Sequence, residues 1–538
     1  MFSIYPLSTF LFQIIFTPLA AIMLTFCGYK MYQVFQLSSY RAREVKKWFK
    51  STKFEYAIRY FALAFFAMAV ASVFVAAFYI FPIALYFGGL AFFLFGAIFL
   101  VMLKKSAKKT PLKITWRIRR LIITTLILNI GIVIGLLQAG NALPLDFYPL
   151  VALAYLLLPL TVIAAHFIML PIENAIRSKF KRRTMRILDK HEGLIKIGIT
   201  GSFGKTTVKN ILASMLKEKY KVTATPASYN TPMGICKAVG DGLGDTEVFI
   251  AEMGARYTGD IAELAKVVRH RYGILTGIGN QHLDTFGSIE NLHKTKYAII
   301  DQLPSDGFAY VNGDSEGAKM MYEWCPVAKT IACCESVSTE GVYYSNQKMT
   351  SKGVSFTLHA KDGDSIDITT PLLGKHMAGT LTLCASVALD LGVSLQQIQK
   401  AAAELKPVPH RLELIDKGDT IVIDDAYNSN VDGARNALEV LSMFDGTKIV
   451  VTPGLVELGA EEEASNYQVG EFIAQYADYA ILNSSRGEII KKGALSKGMP
   501  ENKIILAANL KESLEKIAEI EGDKKVILFE NDLPDNYK

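Results

Sequence analysis

The segment Gly201-Ser-Phe-Gly-Lys-Thr-Thr207 follows the apolar run 194–200 and precedes a stretch whose Val208, Ile211, Leu212, Met215 and Leu216 share one helical face. Strand, glycine loop and helix in that order build a phosphate cradle. Gly201 and Gly204 let backbone amides turn toward phosphate oxygens, with Ser202 and Thr207 in the same loop. The helix N-terminus adds partial positive charge, Lys205 reaches the outer phosphates, and Thr206 offers a hydroxyl to Mg²⁺. The general pattern G-x-x-x-x-G-K-[ST] asks for glycine at 199, where this chain has Ile199. Further along, Val248-Phe-Ile-Ala-Glu-Met-Gly254 reads as a buried strand with Glu252 at its C-terminal end, where a carboxylate beside a phosphate loop binds metal. Gly277-Ile-Gly-Asn-Gln-His-Leu-Asp284 follows a third strand-like run, 272–276, and presents His282, with Lys296 on a helical stretch beyond it.

Positioning these groups takes more than one domain. A chain of 538 residues exceeds the roughly 100–200 residues of one unit, and 51% apolar with 20% charged residues excludes a mainly disordered chain. Three units are expected: 1–186, 187–406 and 407–538. Net charge supports the first boundary. Residues 1–186 carry 22 Lys/Arg against Glu44, Glu55, Asp146 and Glu173, a net +18, which leaves −11 for the remainder of a chain whose total is +7. An acidic larger part would repel a polyanion, so no nucleic-acid partner is expected.

Five apolar stretches, about 7–27, 60–80, 82–103, 121–139 and 148–170, each approach the roughly 20 residues that cross a bilayer. Basic residues number eight in 28–59, eight in 104–120 and six in 171–186, and the alternate connections carry none. That asymmetry predicts a multi-pass membrane protein with its N-terminus outside and everything after Pro171 in the cytoplasm. The stretches carry no Asp, Glu, Lys or Arg, which favours an anchor or lipid contact over an ion pathway. His166 reads as an interfacial or packed histidine. Cys27, Cys236, Cys325, Cys333, Cys334 and Cys384 form no CxxC pair and read as reduced thiols.

The third unit shows strand-like runs at 420–424, 448–452, 479–483, 503–506 and 525–529 separated by helical stretches, as in a Rossmann-like sheet. Pro407-Val-Pro409 reads as a stiff hinge before it.

Taken together, these residues resemble the Mur ligases, ATP-dependent peptide-bond-forming enzymes of bacterial cell-wall synthesis, and within them the MurF type. The resemblance is carried by Thr200-Gly-Ser-Phe-Gly-Lys-Thr-Thr207, Glu252-Met-Gly-Ala-Arg-Tyr-Thr-Gly-Asp260, His282-Leu-Asp-Thr-Phe-Gly-Ser288, His410-Arg-Leu-Glu413 and Asp424-Asp-Ala-Tyr-Asn-Ser-Asn430, over roughly 190–530. It implies an α/β fold: a P-loop central domain and a Rossmann-like C-terminal domain, here behind a five-helix transmembrane segment. Lys205 and the loop amides would hold the ATP phosphates, and Thr206 with Glu252 one Mg²⁺. Lys296 matches a lysine that the family carbamylates, to hold a second Mg²⁺ with His282. Arg411 would contact the γ-phosphate and Asp425 would lie near the ribose, with Asn428 and Asn430 in the same motif.

Implied partners are a cell-wall precursor, an amino acid or dipeptide amine, and membrane lipid. The chain departs from the family in several places. Only about 25 residues separate the fifth stretch from the glycine loop, too few for the soluble domain that grips a UDP-sugar. Met377 stands where the family has an asparagine near adenine, Val431 where MurF has proline, and Glu530-Asn-Asp-Leu-Pro-Asp535 where MurF has a lysine-glycine-serine element. The expectation is a membrane-anchored ligase acting on a lipid-linked acceptor, with a soluble UDP-linked acceptor or a non-catalytic scaffold as alternatives. An ATP-driven transporter would need an exporter signature and a polar route through the spans, and neither stands in the sequence.

Overall fold

A computed structural model describes residues 5–51, 58–60, 62–63, 66–67, 69–70, 73, 84–105, 111–142, 153–227, 229–240, 242–279, 283–325, 328–332, 341–427, 429–456 and 458–532. Two compact units, 1–178 and 179–538, make up the chain.

The first unit is helical: Tyr5–Cys27, Tyr29–Leu37, Ala42–Ser51, Ala84–Lys105, Trp116–Ala142 and the start of Ala154–Lys190. Its core gathers Leu24, Phe35, Phe92, Ile118, Val133, Tyr155 and Val162. Several polar groups buried there are paired, as an apolar surrounding favours. Asn129 Nδ2 donates to Thr25 Oγ1 at 3.0 Å, and the hydroxyls of Tyr60 and Tyr155 donate to the carbonyls of Cys27 and Phe92. Ile22, Phe26, Leu94, Ile127, Leu160 and Phe167 are exposed on its surface. His166 is buried, its ring 4.7 Å from that of Phe35, and is a packing residue.

The prediction of five spans needs correction. Among the described residues, Trp116–Ala139 and Ala154–Lys190 are each long and apolar enough to cross a bilayer. Ile14–Cys27 with Tyr29–Leu37 makes a third only if that pair, bent by 41°, counts as one span. The bend falls at Gly28, where a Cβ would stand 3.0 Å from the Tyr32 ring. The predicted stretch at 82–103 contributes the shorter apolar run Phe92–Met102, and the one at 60–80 lies largely outside the described residues. The helices extend past the apolar stretches to Arg117, Arg120 and Glu173, where Arg120 Nε lies 2.7 Å and Arg117 Nε 3.6 Å from the Glu173 carboxylate. A short apolar window cannot register such long-range pairing.

In the second unit, β1 (Ile195–Thr200), β2 (Val222–Ala224), β3 (Val248–Glu252), β4 (Tyr272–Leu275), β5 (Phe308–Asn312) and β6 (Ala328–Ala332) form one parallel sheet in the order β2-β3-β1-β4-β5-β6. Helices cover it, so β3 is buried at every residue, which explains its unbroken apolar run. β7 (Tyr343–Thr350), β8 (Gly353–His359) and β9 (Ser365–Thr370) make a small antiparallel sheet that the sequence reading missed. It packs against the almost wholly buried helix His376–Asp390.

The last sheet holds β10 (Glu413–Asp416), β11 (Thr420–Asp425), β12 (Thr447–Thr452), β13 (Tyr479–Leu482), β14 (Ile504–Leu506) and β15 (Lys525–Glu530) in the order β10-β11-β15-β12-β13-β14. All its pairings are parallel except β10 with β11. Five of these strands lie where the sequence places them, and β10 is the addition. Cys27, Cys236, Cys325 and Cys384 are buried and form no disulfide among the described residues, and Cys333 and Cys334 lie outside them.

Candidate active site

At the C-terminal end of β1 the chain turns into the glycine loop because only glycine fits. A Cβ on Gly201 would stand 2.0 Å from Thr276 Oγ1, and Gly204 has φ +79°. The loop is stitched to the segment after β4. Ser202 N–H donates to the Gly277 carbonyl at 2.7 Å, Ser202 Oγ to the Gly279 carbonyl at 2.9 Å, and Thr276 Oγ1 to the Phe203 carbonyl at 2.5 Å. The segment that leads to His282 therefore runs beneath the cradle. His282 itself, like Asn428, lies outside the described residues.

Helix Lys205–Lys217 starts directly after Gly204. Lys205 Nζ donates to the carbonyls of Gly201 and Ser202 at 2.8 and 3.0 Å, which holds the ammonium over the loop. Thr207 and Gly204 line an adjoining cavity. Thr206 Oγ1 donates to Glu252 Oε2 at 2.9 Å, because β3 lies beside β1 with Ile199 opposite Glu252.

Two further groups hold that carboxylate. Lys209 Nζ lies 3.0 Å from Glu252 Oε2, with both side chains only 2% exposed, and Asn230 Nδ2 donates to Oε1 at 3.2 Å. Lys209 is absent from the sequence-based site. Its signal was a lysine one turn after Lys205, beside Val208 and Leu212 on the buried face. A hydroxyl and a carboxylate in contact are hard oxygen donors that fit Mg²⁺.

Lys296 sits on helix Ile289–Asp301 and is buried. Desolvation holds its amine well below the ordinary lysine range, the Lys205 charge adds to the effect, and Asp260 opposes it. An ammonium does not fit a metal site; a neutral amine can accept carbon dioxide and become a carboxylate-like ligand. Lys205 is held down to about 8, chiefly by burial, with Glu252 raising it and Arg411 lowering it. Lys205, Glu252, Lys296 and Arg411 thus share one electrostatic neighbourhood.

Facing the glycine loop, Arg411 places its guanidinium 4.4 Å over the Tyr427 ring. Asn430 caps helix Val431–Leu441 by accepting from Gly433 N–H at 2.7 Å. Between the two sides lies a cavity of about 320 Å³ that brings Gly204, Thr207, Arg411, Asp425 and Asn430 together. Met377 and Leu372 contribute to its wall, so the position read as a lost polar contact supplies apolar surface. Burial first, then Glu530, pushes the Asp425 carboxyl up to about 7, and Arg411 opposes the rise. Glu530 stands opposite Asp425 in the β11–β15 register and is 1% exposed. Its Oε2 accepts from Thr452 Oγ1 at 2.6 Å. The sequence marked Glu530 only as a departure.

Residues 199–388 match the Mur ligase middle domain and residues 410–529 the Mur ligase, glutamate ligase domain, together more than half of the chain. The chain belongs to the Mur ligases. Among curated proteins it is 30% identical over 285 residues to the UDP-N-acetylmuramoyl-tripeptide--D-alanyl-D-alanine ligase of Escherichia coli, covering 51% of this chain and 61% of that one. The chain therefore spans about three-fifths of that Mur ligase's length.

Its fold matches that of MurF from Acinetobacter baumannii, with TM-score 0.60, 24% identity, and coverage of 66% of this chain and 77% of the other. MurF from Thermotoga maritima, solved with ADP, matches with TM-score 0.59, 23% identity, and coverage of 66% and 80%. At these identities the likeness is one of Mur ligase fold.

Proposed function

We propose that this Mur ligase forms an amide bond at the expense of ATP, joining an amine to the carboxylate of a peptidoglycan precursor and releasing ADP and phosphate. The Thr206–Glu252 contact, the charges of Glu252 and Arg411 acting on Lys205 and that of Lys205 on Lys296, and the place of Arg411 on the cavity that Gly204 and Thr207 also line support this reading.

A carboxylate is a poor acyl donor at neutral pH, because its carbonyl carbon resists attack by an amine. In the proposed sequence its oxygen attacks the γ-phosphorus, the bond to ADP breaks, and an acyl phosphate results. The amine then attacks the carbonyl carbon, the C–O bond breaks, phosphate leaves, and the amine's proton passes to solvent. Both steps gather negative charge, which Lys205 and Arg411 offset, and each such group typically contributes ~2.7–4 kcal/mol to the barrier reduction. Gly201, Ser202, Gly204 and Thr207 supply the phosphate cradle, while Asp425, Asn428 and Asn430 attend the nucleoside. Mg²⁺ held by Thr206 and Glu252 would screen the phosphates, and a carbamylated Lys296 with His282 would hold a second ion.

In this reading 187–406 is the ATP-binding central domain and 407–538 the domain that receives the amine. Residues 1–186 anchor the enzyme in the cell membrane, with the catalytic domains cytoplasmic. Because this helical unit stands where a UDP-sugar domain would be, a lipid-linked acceptor is proposed. The name of the E. coli relative favours the second reading, a UDP-linked muramoyl tripeptide joined to D-alanyl-D-alanine. Full-length protein in detergent, given ATP, Mg²⁺, D-alanyl-D-alanine and either acceptor, distinguishes them. Product from the lipid-linked acceptor alone supports the first, product from the UDP-linked acceptor alone supports the second, and acceptor-dependent ADP release from neither rejects both.

A further inference from the structure

Two non-glycine residues with left-handed backbone flank Arg411: His410 at φ 61° and Leu412 at φ 47°. Leucine rarely takes that conformation, because its Cβ crowds the following carbonyl, and such residues persist where their surroundings over-determine them. Here the end of β11 supplies the surroundings. Asp424 Oδ2 lies 2.8 Å from His410 Nδ1, and Asp425 Oδ1 accepts from Leu412 N–H at 3.2 Å. Glu413 Oε2 accepts from His410 N–H at 3.1 Å, and the Val408 carbonyl from Arg411 N–H at 3.0 Å. The His410 side chain is 59% exposed and so adds little packing, whereas Arg411 lines the cavity.

We propose that His410 and Asp424 are positioning residues, whose mutual bond holds the left-handed turn that aims the Arg411 guanidinium into the cavity. The proposal rests on Arg411 being the contact to the terminal phosphate. Neither residue touches the nucleotide; both act through the conformation between Val408 and Glu413. The charged form of His410 is favoured by Asp424 first and Glu413 second, which strengthens the bond.

Calorimetric titration of the full chain in detergent with Mg-ADP and with a non-hydrolysable Mg-ATP analogue tests it. Arg411→Ala is expected to lose about tenfold or more of the preference for triphosphate over diphosphate, as loss of a charge-assisted contact does. His410→Ala and Asp424→Ala should lose most of that preference with ADP affinity unchanged. His410→Asn should keep it, since asparagine tolerates the left-handed region. Should His410→Ala fail to fold by circular dichroism, Asp424→Ala and His410→Asn carry the comparison. Full preference retained in Asp424→Ala while Arg411→Ala loses it overturns the positioning role, as does an equal weakening of both nucleotides. Preference retained in Arg411→Ala overturns the reading of Arg411 itself.

Discussion

The Thr206 hydroxyl donates to the Glu252 carboxylate across 2.9 Å, which ties the first turn after the glycine loop to the end of the neighbouring strand. Their sequence separation of 46 residues closes to one hydrogen bond because β1 and β3 run parallel and in register at Ile199 and Glu252. Oxygen donors from two rigid elements are thereby fixed before any ion arrives.

Thr206→Val removes one of those oxygen donors, and Glu252→Gln removes the charge of the other. Ligase turnover at fixed Mg²⁺ is expected to fall on the order of 100- to 1000-fold in either variant, the usual loss for one charge-stabilising group. Thr206→Ser keeps the oxygen and should retain most activity. Initial rates across a Mg²⁺ series check this.

Lys209→Met leaves Glu252 buried without its counter-charge. Losing one partner of a buried pair costs about 3–5 kcal/mol, so the urea midpoint of the catalytic unit should drop clearly. Lys209→Met combined with Glu252→Gln should recover much of the loss. An unchanged midpoint in the single variant would mean the pair carries little of the local stability.

Lys296→Ala should abolish turnover, with partial recovery in added acetate or formate, since a small carboxylate can replace a carbamate. Lys296→Arg should not recover, because a guanidinium cannot take up carbon dioxide. The depressed basicity that burial gives Lys296 keeps the amine available for that reaction near neutral pH.

For Asp425 the folded-state pKa, about 7, lies above the ordinary 3.8. The native state then holds a proton that the unfolded chain gives up. Its contribution to stability is present below the lower value, declines as pH rises toward the upper one, and is flat beyond. Glu530→Gln removes the neighbouring charge and should move the upper end of that window down, read from denaturation midpoints between pH 4.5 and 7.5.

Local pattern made the glycine loop, β1, β3 and the strands of the last sheet readable, because parallel strands buried on both faces leave continuous apolar runs between turn residues. Gly204, Thr207, Arg411, Asp425 and Asn430 line one cavity. What escaped depends on partners distant in sequence. Lys209 joins the site only once Glu252 is seen 3.0 Å away. The turn at His410 and Leu412 leaves no trace in composition, because leucine rarely takes positive φ and no glycine marks the place. The span count differs for a related reason: hydropathy counts apolar residues and cannot see the bend between Cys27 and Tyr29.

The most direct trial of the mixed-anhydride chemistry uses an acceptor whose reacting carboxylate carries ¹⁸O. Incubated with full-length protein, ATP, Mg²⁺ and amine, the acceptor is predicted to lose one ¹⁸O to inorganic phosphate for each amide formed, with Lys205→Ala giving neither product. Amide formation with unlabelled phosphate would contradict the account.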